Sequence, residues 1–239
     1  MIEPLLLAVV RVQTFLDTRL LTAASGFFYE RDGRLFVVTS RHVLVDEPTG
    51  HHPDRVELTL HTDEVDLTRF ARLSVPLFRD GKSVWRHARD SGGEIDVVTV
   101  EIDRAALPEG ANLRAFTPEH LQGPLEEIDI GTPVLVVGFP LGFYDTLHYL
   151  PVARHAIVAS AFGVRFQGQG YFVTDARMHR GASGAPVVMK DPGGNPELPW
   201  KLLGIHSARV DMRTRDAVLD ETLGLNCAWY ADIVQTLTT

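Results

Sequence analysis

Short apolar runs rich in β-branched residues, broken at close intervals by glycine, proline and aspartate, constrain this chain more than any other feature. The runs lie at 5–12, 26–29, 35–39, 56–60, 95–102, 132–138, 156–159, 171–174, 185–189, 202–206 and 223–229. Between them stand turn signals such as Arg31-Asp-Gly33, Asp80-Gly81, Gly92-Gly93 and Asp191-Pro-Gly-Gly-Asn-Pro196. Strand-length runs punctuated in this way predict an all-β sandwich or barrel. Helical periodicity is scarce. The C-terminal tail is the exception: Trp229, Ile233 and Leu237 recur every four residues, which predicts a short amphipathic helix over 229–239. The opening Met1-Ile-Glu-Pro-Leu-Leu-Leu-Ala-Val-Val10 lacks a positive leader region and carries Glu3, so it reads as a first strand and not as a signal peptide.

The segment 103–128, with Pro108, Pro118 and Pro124, interrupts the strand pattern. It divides the chain into two strand-rich halves, 1–105 and 129–228, joined by a connection over 106–128, all within one domain spanning 1–239. A cleft between the halves is the expected site. The 239 residues suit one large domain or two subdomains of about 100 residues each. A formal charge of −8 and a pI near 5.6 argue against a nucleic-acid partner, which needs clustered positive charge. No apolar stretch is long enough to span a membrane as a helix. One cysteine cannot form an internal disulfide, which fits a cytoplasmic location. Cys227, in an apolar strand-like run, reads as a buried structural thiol.

Arg180-Gly-Ala-Ser-Gly-Ala-Pro186 carries the sharpest chemical signal. Glycines flanking Ser183 permit positive φ and leave its hydroxyl unobstructed. Successive N–H groups in such a turn converge into an anion-binding nest, which acyl transfer requires. Taken alone, the heptapeptide fits a glycine-rich turn with an incidental serine equally well. Two further features bear on the choice. Phe36-Val-Val-Thr-Ser-Arg-His-Val43 is a β-rich run ending at His42, and Gly93-Glu-Ile-Asp-Val-Val-Thr-Val100 places Asp96 at the head of an apolar strand. A carboxylate there needs a partner, a serine needs a base, and that base needs an acid to orient it.

These residues resemble the chymotrypsin/trypsin-like serine peptidases, particularly bacterial members of the high-temperature-requirement and glutamyl-endopeptidase groups. Thr39-Ser-Arg-His42, Ile95-Asp-Val-Val98, Val136-Val-Gly-Phe-Pro-Leu-Gly142, Thr174-Asp-Ala176 with Gly181-Ala-Ser-Gly-Ala-Pro186, and Leu203-Gly-Ile-His-Ser207 follow the family's order over residues 5–235. The resemblance implies a double β-barrel of chymotrypsin type, each barrel of six strands, with a short C-terminal helix. It implies a serine endopeptidase with His42 as general base, Asp96 as its orienting carboxylate and Ser183 as nucleophile. The N–H groups of Gly181 and Ser183 would form the oxyanion hole, and Ser207 would hydrogen-bond the aspartate. No cofactor or metal is implied. The partners implied are a protein or peptide substrate and, for any regulation, a partner protein. Ala182 stands where zymogens of the family carry an acid, so the chain is expected to need no amine-driven activation. Ala185 replaces a frequent glycine. The alternative is a protease-like peptide-binding module, or a latent protease whose triad a partner aligns. The three intact groups weigh against a binding-only module.

The residues expected to bind substrate are Arg177, His206, Ser207 and Arg209, with His179 and Arg180 nearby. A pocket lined by His and Arg favours an acidic side chain before the scissile bond. If the arginines face solvent, a small apolar pocket remains. His51, His52 and His61, with Asp54 and Asp63, lack compact metal-ligand spacing and read as loop residues. Glu126, Glu127 and the acids at 216–221 read as solvated charges.

Overall fold

The computed structural model describes residues 2–123, 128–209 and 224–239, with the side chains of Ala208 and Arg209 outside the description. The acids at 126–127 and 216–221, and Leu223, lie outside the described residues. The first half contains α1 (Pro4–Ala8), β1 (Val9–Leu16), β2 (Arg19–Arg31), β3 (Arg34–Thr39), α2 (Arg41–Leu44), β4 (Arg55–His61), β5 (Phe70–Pro76), the two-residue pair β6 (Phe78–Arg79) and β7 (Lys82–Ser83), β8 (Trp85–Asp90) and β9 (Gly93–Ile102). The second half contains β10 (Pro133–Gly138), β11 (Val152–Val158), β12 (Tyr171–Asp175), β13 (Pro186–Lys190), β14 (Trp200–Arg209), β15 (Leu225–Tyr230) and α3 (Ile233–Leu237). Among the described residues no helix is long and apolar enough to cross a membrane.

The second half is a closed barrel in the order β10-β11-β12-β15-β14-β13. The first is a seven-stranded antiparallel sheet, β5-β4-β1-β2-β3-β9-β8, in place of the six strands expected. Its two edge strands are the ones the apolar pattern does not mark.

The central strands β2 and β3, and β10 and β13 of the barrel, read as nearly continuous apolar runs because both of their faces are buried. In β2, Phe28 enters the core of the first sheet while Phe27 and Tyr29 enter a core shared with the second half. Val37 and Val38 of β3 divide in the same way. In the barrel, Val136, Val187 and Leu203 fill its interior, whereas Val137, Val188 and Leu202 face the shared core. The two halves therefore share one apolar core.

Two boundaries differ from the sequence reading. The chain does not open as a strand: Pro4 takes the first turn of a short helix, where its fixed φ fits and its missing N–H costs nothing, and pairing begins only at Val9. Trp229 belongs to β15 rather than to the terminal helix, though it shares a core with Val234 and Leu237. That helix docks across the junction. Thr99 Oγ1 of β9 donates to the carbonyl of Leu237 at 3.0 Å, and Arg31 Nη1 of β2 to that of Gln235 at 2.6 Å. First-half donors thus satisfy carbonyls that a helix end leaves open.

Candidate active site

Strand pairing brings His42 and Asp96 together. In the β3–β9 ladder Thr39 is opposite Val98. The strands are antiparallel, so three residues beyond Thr39 and two before Val98 extend past the same end. There the His42 backbone N–H donates to Asp96 Oδ1 at 2.8 Å, and His42 Nδ1 lies 2.7 Å from Asp96 Oδ2. Ser207 of β14, from the other half, donates its hydroxyl to Oδ2 as well. A carboxylate only accepts, so Nδ1 carries the proton and the neutral imidazole keeps its lone pair on Nε2. Burial alone would lower the pKa of His42. The hydrogen bond and charge of Asp96, helped by the charge of Asp46, outweigh it and hold the imidazole above its ordinary value.

Ser183 sits, partly exposed, in the turn leading into β13. Gly184 N–H donates to His206 O at 2.8 Å, and His206 N–H to Ala185 O at 2.8 Å, tying this turn to β14. Among the described residues no hydrogen bond joins Ser183 Oγ to His42. The peptides before Gly181 and before Ser183 are both held by their carbonyls: Leu141 N–H donates to Arg180 O at 2.6 Å, and Ala185 N–H to Ala182 O at 2.9 Å. A trans peptide sets N–H opposite C=O. The N–H groups of Gly181 and Ser183 therefore point away from those anchors, and neither finds an acceptor among the described residues. Gly181 has φ +90°, and a Cβ there would lie 2.6 Å from Phe139 O, so only glycine suits the position.

The substrate-binding candidates differ in exposure. His206 is 3% exposed. Burial, and secondarily the charge of His42, pushes its pKa down to about 4, so it is neutral at physiological pH, and its Nδ1 is buried without a partner. Arg177 and Arg180 are exposed, and the carbonyl of Arg177 accepts from Arg154 Nη2 at 2.7 Å. Arg209 ends β14, and its side chain lies outside the description. Of these residues, His206 is buried beside the nucleophile turn and Ser207 is buried against Asp96, while Arg177 and Arg180 are exposed. His51 Nε2 bonds Val43 O at 2.8 Å, and His61, which is buried at the end of β4 and not in a loop as its sequence suggests, bonds His148 O through Nε2 at 2.6 Å. Cys227 is buried, which pushes its thiol up to about 11. Sequence reasoning passed over the buried hydroxyls at the junction. Ser40, within Thr39-Ser-Arg-His42, donates to His206 O at 3.3 Å, and Ser25, just ahead of the run at 26–29, reaches the nucleophile turn, but the sequence marks neither for that contact.

The family model of the trypsin-like peptidase domain matches residues 24–194, well over half of the chain. The chain belongs to the trypsin-like peptidase family. No curated protein matches it. Among solved structures, the HtrA-type protease AlgW with a tripeptide superimposes with a TM-score of 0.56 at 17% identity, covering 98% of this chain and 59% of that one. A serine endoprotease from Yersinia pestis gives a TM-score of 0.57 at 16% identity, with 98% and 62% covered. This trypsin-like peptidase thus spans about three fifths of the length of those solved relatives. At such identities the likeness establishes the fold, a double barrel of chymotrypsin type with a short C-terminal helix.

Proposed function

We propose that the protein is a serine endopeptidase that cleaves protein or peptide substrates through an acyl-enzyme. His42 Nε2 takes the proton of Ser183 Oγ as that oxygen attacks the scissile carbonyl. Asp96 holds the tautomer, and the imidazolium then protonates the leaving amine. The N–H groups of Gly181 and Ser183 receive the oxyanion, with about 3–4 kcal/mol lost when such a donor is removed. The observation that carries this reading is the fixed His42–Asp96 pair beside the turn of Ser183, whose Gly184 packs against Thr39. The open contact between Ser183 and His42 does not count against it, since such contacts tighten when substrate binds.

Incubation with a fluorophosphonate is expected to label Ser183 covalently, and Ser183→Ala is expected to abolish the label. A folded wild type that stays unlabelled would overturn the reading and leave a peptide-binding module or a latent state awaiting a partner. The finer part of the proposal is a preference for an acidic residue before the scissile bond. Its support is the unpaired, buried Nδ1 of His206, a hydrogen-bonding group that an entering carboxyl can satisfy. Among matched peptides carrying Glu, Lys, Ala or Phe at that position, Glu is expected to be cleaved fastest. Faster cleavage after Lys or Phe would sink this part alone.

A further inference from the structure

We propose that Ser25, on β2 of the first half, is a positioning residue for the oxyanion hole of the second; this rests on the reading of Ser183 as nucleophile. Ser25 is fully buried, yet all of its polar atoms are engaged. Its N–H donates to Ser183 O at 3.0 Å and its carbonyl accepts from Thr39 Oγ1 at 2.7 Å. Its hydroxyl lies 2.9 Å from Phe139 N and 2.7 Å from Gly181 O. The direction of the hydroxyl is fixed by chemistry. A backbone N–H can only donate, so Oγ accepts from Phe139, and its single proton goes to the Gly181 carbonyl. The relay Phe139 N–H to Ser25 O–H to Gly181 C=O is of the kind in which each bond polarises the next.

This relay bears on the orientation of one peptide. The N–H of Gly181 faces the cleft only while Arg180 O is held by Leu141 N–H. A flip of that peptide would turn the Arg180 carbonyl into the hole and place an acceptor where the oxyanion must go. Gly181, with φ +90°, offers little resistance of its own, because glycine occupies both signs of φ. The Ser25 hydroxyl pins the carbonyl on one side of Gly181. Through Phe139 it also pins the start of the 139–142 segment that supplies Leu141 N–H. One side chain therefore fixes both peptides that flank Gly181. The fit is tight, since a Cβ on Gly138 would lie 2.4 Å from Ser25 Oγ.

The test compares wild type, Ser25→Ala and Ser25→Cys by fluorophosphonate labelling rate, and by hydrolysis of p-nitrophenyl acetate against its thiono analogue. Sulfur accepts oxyanion-hole hydrogen bonds poorly, so the oxo/thiono rate ratio reports on the hole and not on stability. Ser25→Ala is expected to slow labelling by on the order of 10-fold to 100-fold, below the about 10²-fold to 10³-fold of a deleted donor, and to bring the oxo/thiono ratio down by a similar factor. Ser25→Cys keeps the shape with a weak donor and is expected to fall between the two; it decides the matter if Ser25→Ala does not fold. Wild-type rates and an unchanged ratio in a folded variant would overturn the proposal, even where thermal stability has dropped. An unlabelled wild type would instead defeat the endopeptidase reading, so the two failures are distinguishable.

Discussion

Asp96→Asn is expected to lower the rate of Ser183 acylation by on the order of 10⁴-fold with the fold intact, equivalent to about 5.5 kcal/mol of barrier. Three donors converge on this carboxylate: the His42 N–H on Oδ1, and the His42 Nδ1–H and Ser207 hydroxyl on Oδ2. An asparagine has one acceptor oxygen and one NH₂ group. The backbone N–H of His42 cannot change its role, so the amide oxygen must stay with it, and the NH₂ then faces Nδ1. The imidazole can respond by moving its proton to Nε2, so that Nδ1 accepts. That satisfies the hydrogen bond and destroys the base, because Nε2 no longer has a lone pair for Ser183. The Ser207 hydroxyl also loses its acceptor and must reorient.

The same substitution is expected to move the pH profile. A base works only when neutral, so labelling rises with pH through the pKa of His42. In the wild type the midpoint should lie above 6.5, since the bond and charge of Asp96 outweigh burial. With Asp96→Asn both of those vanish while burial persists, and the residual midpoint should drop. Stopped-time labelling from pH 5 to 9 measures rate and midpoint together. A loss of less than about tenfold, or an unmoved midpoint, would show that Asp96 does not govern the imidazole.

The central strands were legible because they are apolar on both faces. Phe27 to Tyr29 and Val37–Val38 give an unbroken signal when each alternate residue has its own core to enter. The edge strands β5 and β8 were not. Phe70–Pro76 and Trp85–Asp90 bury few side chains, so little apolar periodicity is required of them. The site divides along similar lines. His42, Asp96 and Ser183 stand in short local motifs, and the ladder ends bring the first two together without long-range information. Of the residues expected to line the specificity pocket, Arg177 is exposed and His206 is buried, because the turn before Ser183 and the strand β14 each set their own side-chain directions, which no short motif encodes. The Ser25 contacts were out of reach altogether: they join residues 114 and 156 positions apart, across the two halves.

That junction also makes Gly184 the glycine least tolerant of change. Gly184→Ala is expected to cost at least about 4 kcal/mol, against the about 5–15 kcal/mol that typically holds a domain folded. The residue has φ +84°, where a side chain costs about 1–2 kcal/mol. A Cβ there would lie 2.2 Å from Ser25 O, 2.3 Å from Thr39 Oγ1 and 2.9 Å from Thr39 Cα. These are backbone and short buried groups that cannot swing aside. Relief requires parting the halves, which breaks Ser25 N–H to Ser183 O, Phe139 N–H to Ser25 Oγ and Ser25 Oγ–H to Gly181 O, each worth about 1 kcal/mol. Gly33→Ala is the matched control: its φ is +75°, but a Cβ there meets nothing within 4 Å, so only the conformational cost of about 1–2 kcal/mol applies. In urea titrations Gly33→Ala should unfold at a slightly lower midpoint than wild type, whereas Gly184→Ala should be largely unfolded without urea or recovered only as aggregate. Unfolding free energies for the two variants within about 1 kcal/mol of each other would mean that the halves can separate at this point without loss, and that the close approach of Gly184 to Ser25 and Thr39 is not what holds the nucleophile turn in place.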